Sequence, residues 1–235
     1  MSPPATTSHV LARSPWVPIN IHPATPGQRH KWLAAMRGRE PSDPAEWISD
    51  YLPSLLAVHD ASALPYLKDA LYHPDNLVRQ YTLNALALFD DSLISTWIPA
   101  TIEANGPTVE LAYMLSWRRD LFQSHGAAII KAAMPYLKSP SPVLTAGALQ
   151  TFYFLKPQYD WKANPDIPAQ LDHAVAVEAD RLIATRNPAI LQPLALYLGM
   201  WRSETSRRLL ERLVKDGTVR EQAEICLRWI SKPLR

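Results

Sequence analysis

The chain has 235 residues, 47% of them hydrophobic and 20% charged, with 22 prolines, 7 glycines, one cysteine and a formal net charge of +2. That length and apolar content suit one domain or two small ones with a continuous core, while a single cysteine excludes an intrachain disulfide framework and any zinc site built on several thiolates. The near balance of charge supplies no field to steer the whole molecule onto nucleic acid or anionic lipid, and the absence of G-x-G-x-x-G and G-x-x-x-x-G-K-[ST] removes dinucleotide and P-loop chemistry.

The two halves differ in charge. Residues 1–120 hold 9 Lys and Arg against 12 Asp and Glu, and residues 121–235 hold 15 against 10, so the C-terminal half is mildly basic. No stretch approaches the length of uninterrupted apolar sequence that spans a membrane, and the N-terminus lacks the apolar run of a signal peptide. A cytoplasmic protein without a membrane partner is the expectation.

Residues 1–25 carry Pro3, Pro4, Pro15, Pro18 and Pro23 with little helical periodicity and read as an extended arm, whose apolar Trp16, Val17, Ile19 and Ile21 favour lying along the body of the protein. Thr25 before Pro26 is an N-cap followed by proline at the first helical position, which opens a helix over 26–37. From Asp43 onward, apolar residues recur at helical spacing and nothing alternates with the period of a strand. Helices are expected over 44–58, 62–72, 77–89, 92–104, 107–119, 125–138, 142–155, 168–185, 188–199, 203–215 and 218–230.

The sequence repeats itself. Pro65-Tyr66-Leu67-Lys68 recurs as Pro135-Tyr136-Leu137-Lys138, and Asp75-x-x-Val78-Arg79 recurs as Asp216-x-x-Val219-Arg220, each D-x-x-V-R opening an expected helix. With the valine as anchor, equivalent positions are expected at Val78, Val109, Val143, Ile190 and Val219. Small residues follow at Thr82 and Ala85 in one unit and at Ala223 and Cys226 in another, where helices can approach closely.

These motifs resemble the HEAT and HEAT-like repeats, in which a first helix carrying a proline is followed by a second opened by a turn Asp and Val-Arg. Pro53, Pro65, Pro99 and Pro135 look like the first-helix prolines. The resemblance covers about residues 44–232, and only the units at Val78 and Val219 carry the full motif; Glu110 stands where the arginine belongs in the unit at Val109. It implies an all-α domain over 26–235, a right-handed α-solenoid of about five to six antiparallel helix pairs, with a concave face that binds another macromolecule. Between the units at Val143 and Ile190 there is room for an irregular insertion at 156–168.

Little in the sequence points to chemistry. The seven histidines form no H-E-x-x-H and no i, i+4 pair, so neither a metal nor a cofactor is expected, and no catalytic residue stands out. Cys226 falls at a small, buried position, where a free cysteine serves as a packing residue. Two groups are candidate partner-binding residues. Trp117, Arg118, Arg119 and Asp120 place an aromatic ring, two guanidinium groups and a carboxylate at a helix end, suited to a phosphate or a charged peptide, although arginine there would also complement the helix dipole. Tyr159, Asp160, Trp161 and Lys162 lie between prolines in the insertion, and loops on a rigid scaffold often carry function. The arginines from Arg202 to Arg228 form a basic stretch, but Glu204 with Arg208 and Glu211 with Lys215 are spaced as on an ordinary solvated helix face.

The expected function is a non-enzymatic binding or scaffold module that recognises a protein partner through its concave face and the insertion. Two alternatives follow from the resemblance: a nucleic-acid-binding protein similar to the HEAT-like alkylpurine DNA glycosylases, which would use Trp117, Arg118, Asp120 and Trp161, and a protein similar to the HEAT-like bilin lyases.

Overall fold

The structure, a computed structural model, describes residues 24–231 apart from 59–60, 87, 90, 118 and 156–159, and the side chains of 91–93, 95, 117 and 119–124 also lie outside the description. All but two residues of the expected arm therefore fall outside the described residues. Among these the protein is all-helical, without strands, and its helices pack against one another. No described helix is long and apolar enough to cross a membrane.

Proline placement explains how a chain with 22 prolines remains helical. Helix α1 (Pro26–Met36) starts with proline at its first position, where no backbone N–H is needed, and Thr25 and Gln28 cap it reciprocally. Asp43 caps α2 (Pro44–Glu46) by accepting the Ala45 N–H, again ahead of a proline at the first position. This helix runs through a π-helical turn, Trp47–Tyr51, into α3 (Leu52–Leu56). Pro53 lacks the N–H that would close on Ser49 and its ring crowds that carbonyl, so the turn ahead of it widens. A short 3-10 turn, Ala61–Ala63, leads into α4 (Leu64–Leu71), followed by α5 (Asn76–Leu86) and α6 (Asp91–Asn105), which accommodates Pro99. Next come α7 (Val109–Trp117) and α8 (Arg119–Ala133), the latter continued by a 3-10 segment, Met134–Lys138, that contains Pro135. The last five are α9 (Pro142–Leu155), α10 (Asp166–Ala184), α11 (Pro188–Trp201), α12 (Glu204–Asp216) and α13 (Arg220–Ser231). The expected insertion is shorter than 156–168, because α10 begins at Asp166. Pro165 and Pro168 belong to the start of that helix, where their missing N–H groups cost nothing.

The helices pack in two layers. In one, α5 packs on α7, α7 on α9, α9 on α11 and α11 on α13; in the other, α6 packs on α8 and α10 on α12, with α4, α8 and α12 laid against α5, α9 and α13. One cluster of buried apolar residues runs from Leu33 to Cys226 between them.

The register of two units differs from the expectation. Val109 and Val143 are 38% and 54% exposed, whereas Val78, Ile190 and Val219 are buried as expected. Caps set the rotation. Asp75 accepts the N–H groups of Leu77 and Val78, and Thr108 accepts that of Leu111, so the buried position three residues after the cap is Leu111 in α7 and not Val109. A valine in the right composition but one or two positions off the cap is turned outward by the 3.6-residue period.

Small residues close the layer of α5, α7, α9, α11 and α13. A Cβ on Gly147 of α9 would sit 2.0 Å from the carbonyl oxygen of Pro107, in the turn ahead of α7, and a Cβ on Gly199 of α11 would sit 2.9 Å from the Cβ of Cys226 in α13. Thr82 and Thr151, both fully buried, satisfy their hydroxyls on the carbonyls four residues back, Val78 and Gly147, at 2.8 Å each. Gly147→Ala is expected to lower stability by about 1–3 kcal/mol or more, as an overpacked core does when the obstacle is backbone, and Gly199→Ala by less, since its nearest obstacle lies at 2.9 Å and not at 2.0 Å. Urea denaturation of the two variants measures both; equal small losses would contradict the packing described.

Candidate functional site

The D-x-x-V-R motif performs one structural task in both places where it occurs. Arg79 donates through one guanidinium nitrogen to the carbonyls of His73 and Pro74, both at 2.8 Å, and through the other to Glu110 at 2.6 Å. Arg220 donates to Val214, again six residues earlier, at 3.3 Å. In each unit the aspartate caps the turn by accepting the N–H two residues on, Leu77 from Asp75 and Thr218 from Asp216. In both places the motif thus ties down the turn between two helices, its arginine reaching back six residues and its aspartate forward two; in the first unit the aspartate also caps the start of α5, and in the second the arginine reaches the last turn of α12. Hydrogen bonds from the Thr218 hydroxyl and N–H, with the Arg186 guanidinium nearby, hold the Asp216 carboxyl below its usual range against the opposing effect of desolvation.

Glu110, the apparent break in the motif, is the partner of Arg79. The pair joins α5 to α7, with the two side chains 17% and 16% exposed. Its geometry matters because α5 has no charged residue besides Arg79, α7 none besides Glu110, and α9 and α11 have none at all. The pairing removes the net charge from four adjacent helices of one layer.

That layer carries exposed apolar side chains on three neighbouring helices. Leu77 and Tyr81 lie one turn apart on α5, Val109 and Tyr113 one turn apart on α7, and Val143 opens α9; Tyr81 and Tyr113 are 49% and 51% exposed. Tyr113 leans onto α9, its ring 6.1 Å from that of Phe154 and edge-on to it. A run of exposed apolar residues on adjacent helices without a free charge is the composition of a docking surface and an unfavourable one for bulk water. Sequence reasoning missed it because two of these residues, Val109 and Val143, were assigned to buried anchor positions. The near absence of charge from α5, α7, α9 and α11 was the available signal.

The residues singled out from the sequence have other surroundings. Trp117 closes α7, and Arg119 and Asp120 stand in the first turn of α8, which begins six residues earlier than expected; Arg118 lies outside the described residues, as do the side chains of the other three. Tyr159 is likewise outside the described residues. Asp160 caps a short 3-10 turn, Trp161–Ala163, by accepting the Lys162 N–H at 3.0 Å. Trp161 is half-buried, its ring edge-on to Trp201 at 5.2 Å. Trp201 in turn packs on Tyr197 and Tyr197 on Phe152, at 5.5 and 6.2 Å, so the insertion ends an aromatic series that reaches the core. Burial, with Asp172 nearby, raises the Tyr197 hydroxyl well above its usual range.

Other sequence features have packing roles. Phe89, Phe152 and Trp201 are buried. Cys226 is buried and burial pushes its thiol up, partly opposed by the Gln222 amide, which donates to its sulfur. Of the C-terminal arginines, Arg207, Arg208 and Arg212 sit on α12, in the opposite layer from Tyr81 and Tyr113, and Arg220 and Arg228 on α13; Arg212 pairs with Asp180 of α10 at 2.6 Å. No group of three or more His, Cys, Asp or Glu side chains among the described residues is arranged to hold a metal ion. No protein-family model matches this chain, and no curated protein matches its sequence.

A double-mutant cycle on Arg79→Ala and Glu110→Ala is expected to give a coupling of about 0.5–3 kcal/mol in urea unfolding, the range for residues in one hydrogen-bonded network. Arg79→Lys should recover little of it, because an ammonium cannot serve two backbone carbonyls and a carboxylate with the geometry of a planar fork.

Proposed function

We propose that this protein is a non-enzymatic binding module of the HEAT-like type, a right-handed α-solenoid working in the cytoplasm, and that it recognises a protein partner through the solvent face of α5, α7 and α9. The observation that carries this reading is the charge-free face on which Leu77, Tyr81, Val109, Tyr113 and Val143 are exposed. Exposed tyrosines are effective anchors at protein interfaces, since each offers a large rigid ring and a polar tip at low entropic cost. The two-layer packing of successive helices and the twofold use of the D-x-x-V-R motif support the repeat assignment. Nucleic-acid backbone binding needs clustered cations, and the described part of this face offers none.

A photo-crosslinking residue placed at 81 or 113 in cells is expected to give a discrete protein adduct, absent when the same residue is placed at 207 on α12. Once the partner is identified and purified, Tyr113→Ala should weaken its binding about tenfold or more, the effect of losing an interface anchor, without lowering the melting temperature. Adducts no stronger at 113 than at 207, or salt-dependent binding of DNA by this face, would refute the reading.

A further inference from the structure

We propose a second docking surface, on the opposite layer, that takes an acidic peptide segment with apolar anchors. Successive helices of that layer are not evenly packed. Helix α10 meets the preceding unit through the 3-10 segment Met134–Lys138, and beside that junction a groove of about 570 Å³ opens. The cause lies in the chain itself. Pro135 interrupts the α-helical ladder at the end of α8, and the tighter 3-10 turn that follows does not carry the helix surface forward to α10.

The floor is apolar, with Met134, Pro135, Ala174 and Val177, the last 60% exposed. Its charge is one-sided. Glu178, the groove's single carboxylate, is held at 2.7 Å by Arg181, which also donates to the carbonyl of Leu137 and so ties α10 to the 3-10 segment. Lys131 and Lys138 are exposed on the facing wall and have no acidic partner among the described residues. An apolar trough with two unneutralised ammonium groups on its rim is complementary to a segment that presents aliphatic or aromatic side chains flanked by carboxylates. Two lysines are too few to hold a nucleic-acid backbone, and the groove's single aromatic ring, the imidazole of His173, is less than the series of rings on which successive bases stack. This surface is independent of the face on α5, α7 and α9.

Selection of a phage-displayed random peptide library on the immobilised full-length protein tests it. Enriched peptides are expected to combine Asp or Glu with Leu or Phe. The most enriched one, synthesised with a fluorescein label, should bind the wild type and lose at least tenfold in affinity with Lys131→Glu/Lys138→Glu and with Val177→Asp, three exposed positions whose substitution leaves the core intact. Tyr81→Ala/Tyr113→Ala should leave its binding unchanged. Failure to enrich any peptide, enrichment without acidic residues, or binding that follows the Tyr81 and Tyr113 variants instead would overturn the proposal. Equal or tighter binding of a labelled oligonucleotide or of phosphatidylserine vesicles, lost with the same lysine variant, would also overturn it.

Discussion

At Gly147 there is no room for a methyl group, because the carbonyl oxygen of Pro107 occupies the place a Cβ would take. This contact lets α9 approach the turn ahead of α7, and Gly199 against Cys226 does the same between α11 and α13. Helix axes that come this close exclude large side chains from the seam between them, so the seam is filled by Gly, Ala, Thr and Cys. Large residues then have two destinations. Those directed toward the opposite layer form the core, as Phe152 and Tyr197 do, and those directed away from it are exposed, as Tyr81 and Tyr113 are. The docking face follows from the same constraint that closes the layer.

Charge obeys a related logic. A guanidinium placed where Arg79 lies must satisfy several donors with little help from water, and leaving them unmet costs more than a surface ion pair usually contributes. Two carbonyls of the turn after α4 and the Glu110 carboxylate meet that demand at the two terminal nitrogens, leaving only the buried Nε without a partner. The result is a bond between successive units and a layer without free charge across four helices. An exposed pair would have been worth little; here its larger consequence is what it leaves off the neighbouring surface.

Irregular segments have opposite effects in the two places they occur. At Trp161 the chain turns inward and its aromatic ring closes a series that runs through Trp201 and Tyr197 to Phe152, so this part of the insertion is held by packing. At Met134–Lys138 a proline-induced tightening of the helix leaves space that no side chain of α10 fills, and a groove remains. Deviation from the regular helix pair therefore builds core at one junction and surface concavity at another: Trp161 packs on Trp201, whereas the ring of the 3-10 segment, Tyr136, is engaged with α6, its hydroxyl donating to the Glu103 carbonyl.

Helical class, most helix positions and the role of the prolines were legible in the sequence, because period, caps and proline's missing N–H act over a few residues and need no distant partner. The D-x-x-V-R motif was legible for the same reason: its aspartate and arginine bond within six residues of themselves. Rotation of α7 and α9 was not, since Val109 and Val143 have the composition of core anchors and only the cap and the neighbouring helix determine which way each faces. Nor could the sequence show that Glu110 completes Arg79 from 31 residues away, or that Pro135 leaves a groove against α10. Local hydrogen bonding determined the elements of this protein, while long-range packing and charge pairing decided which of their faces water would meet.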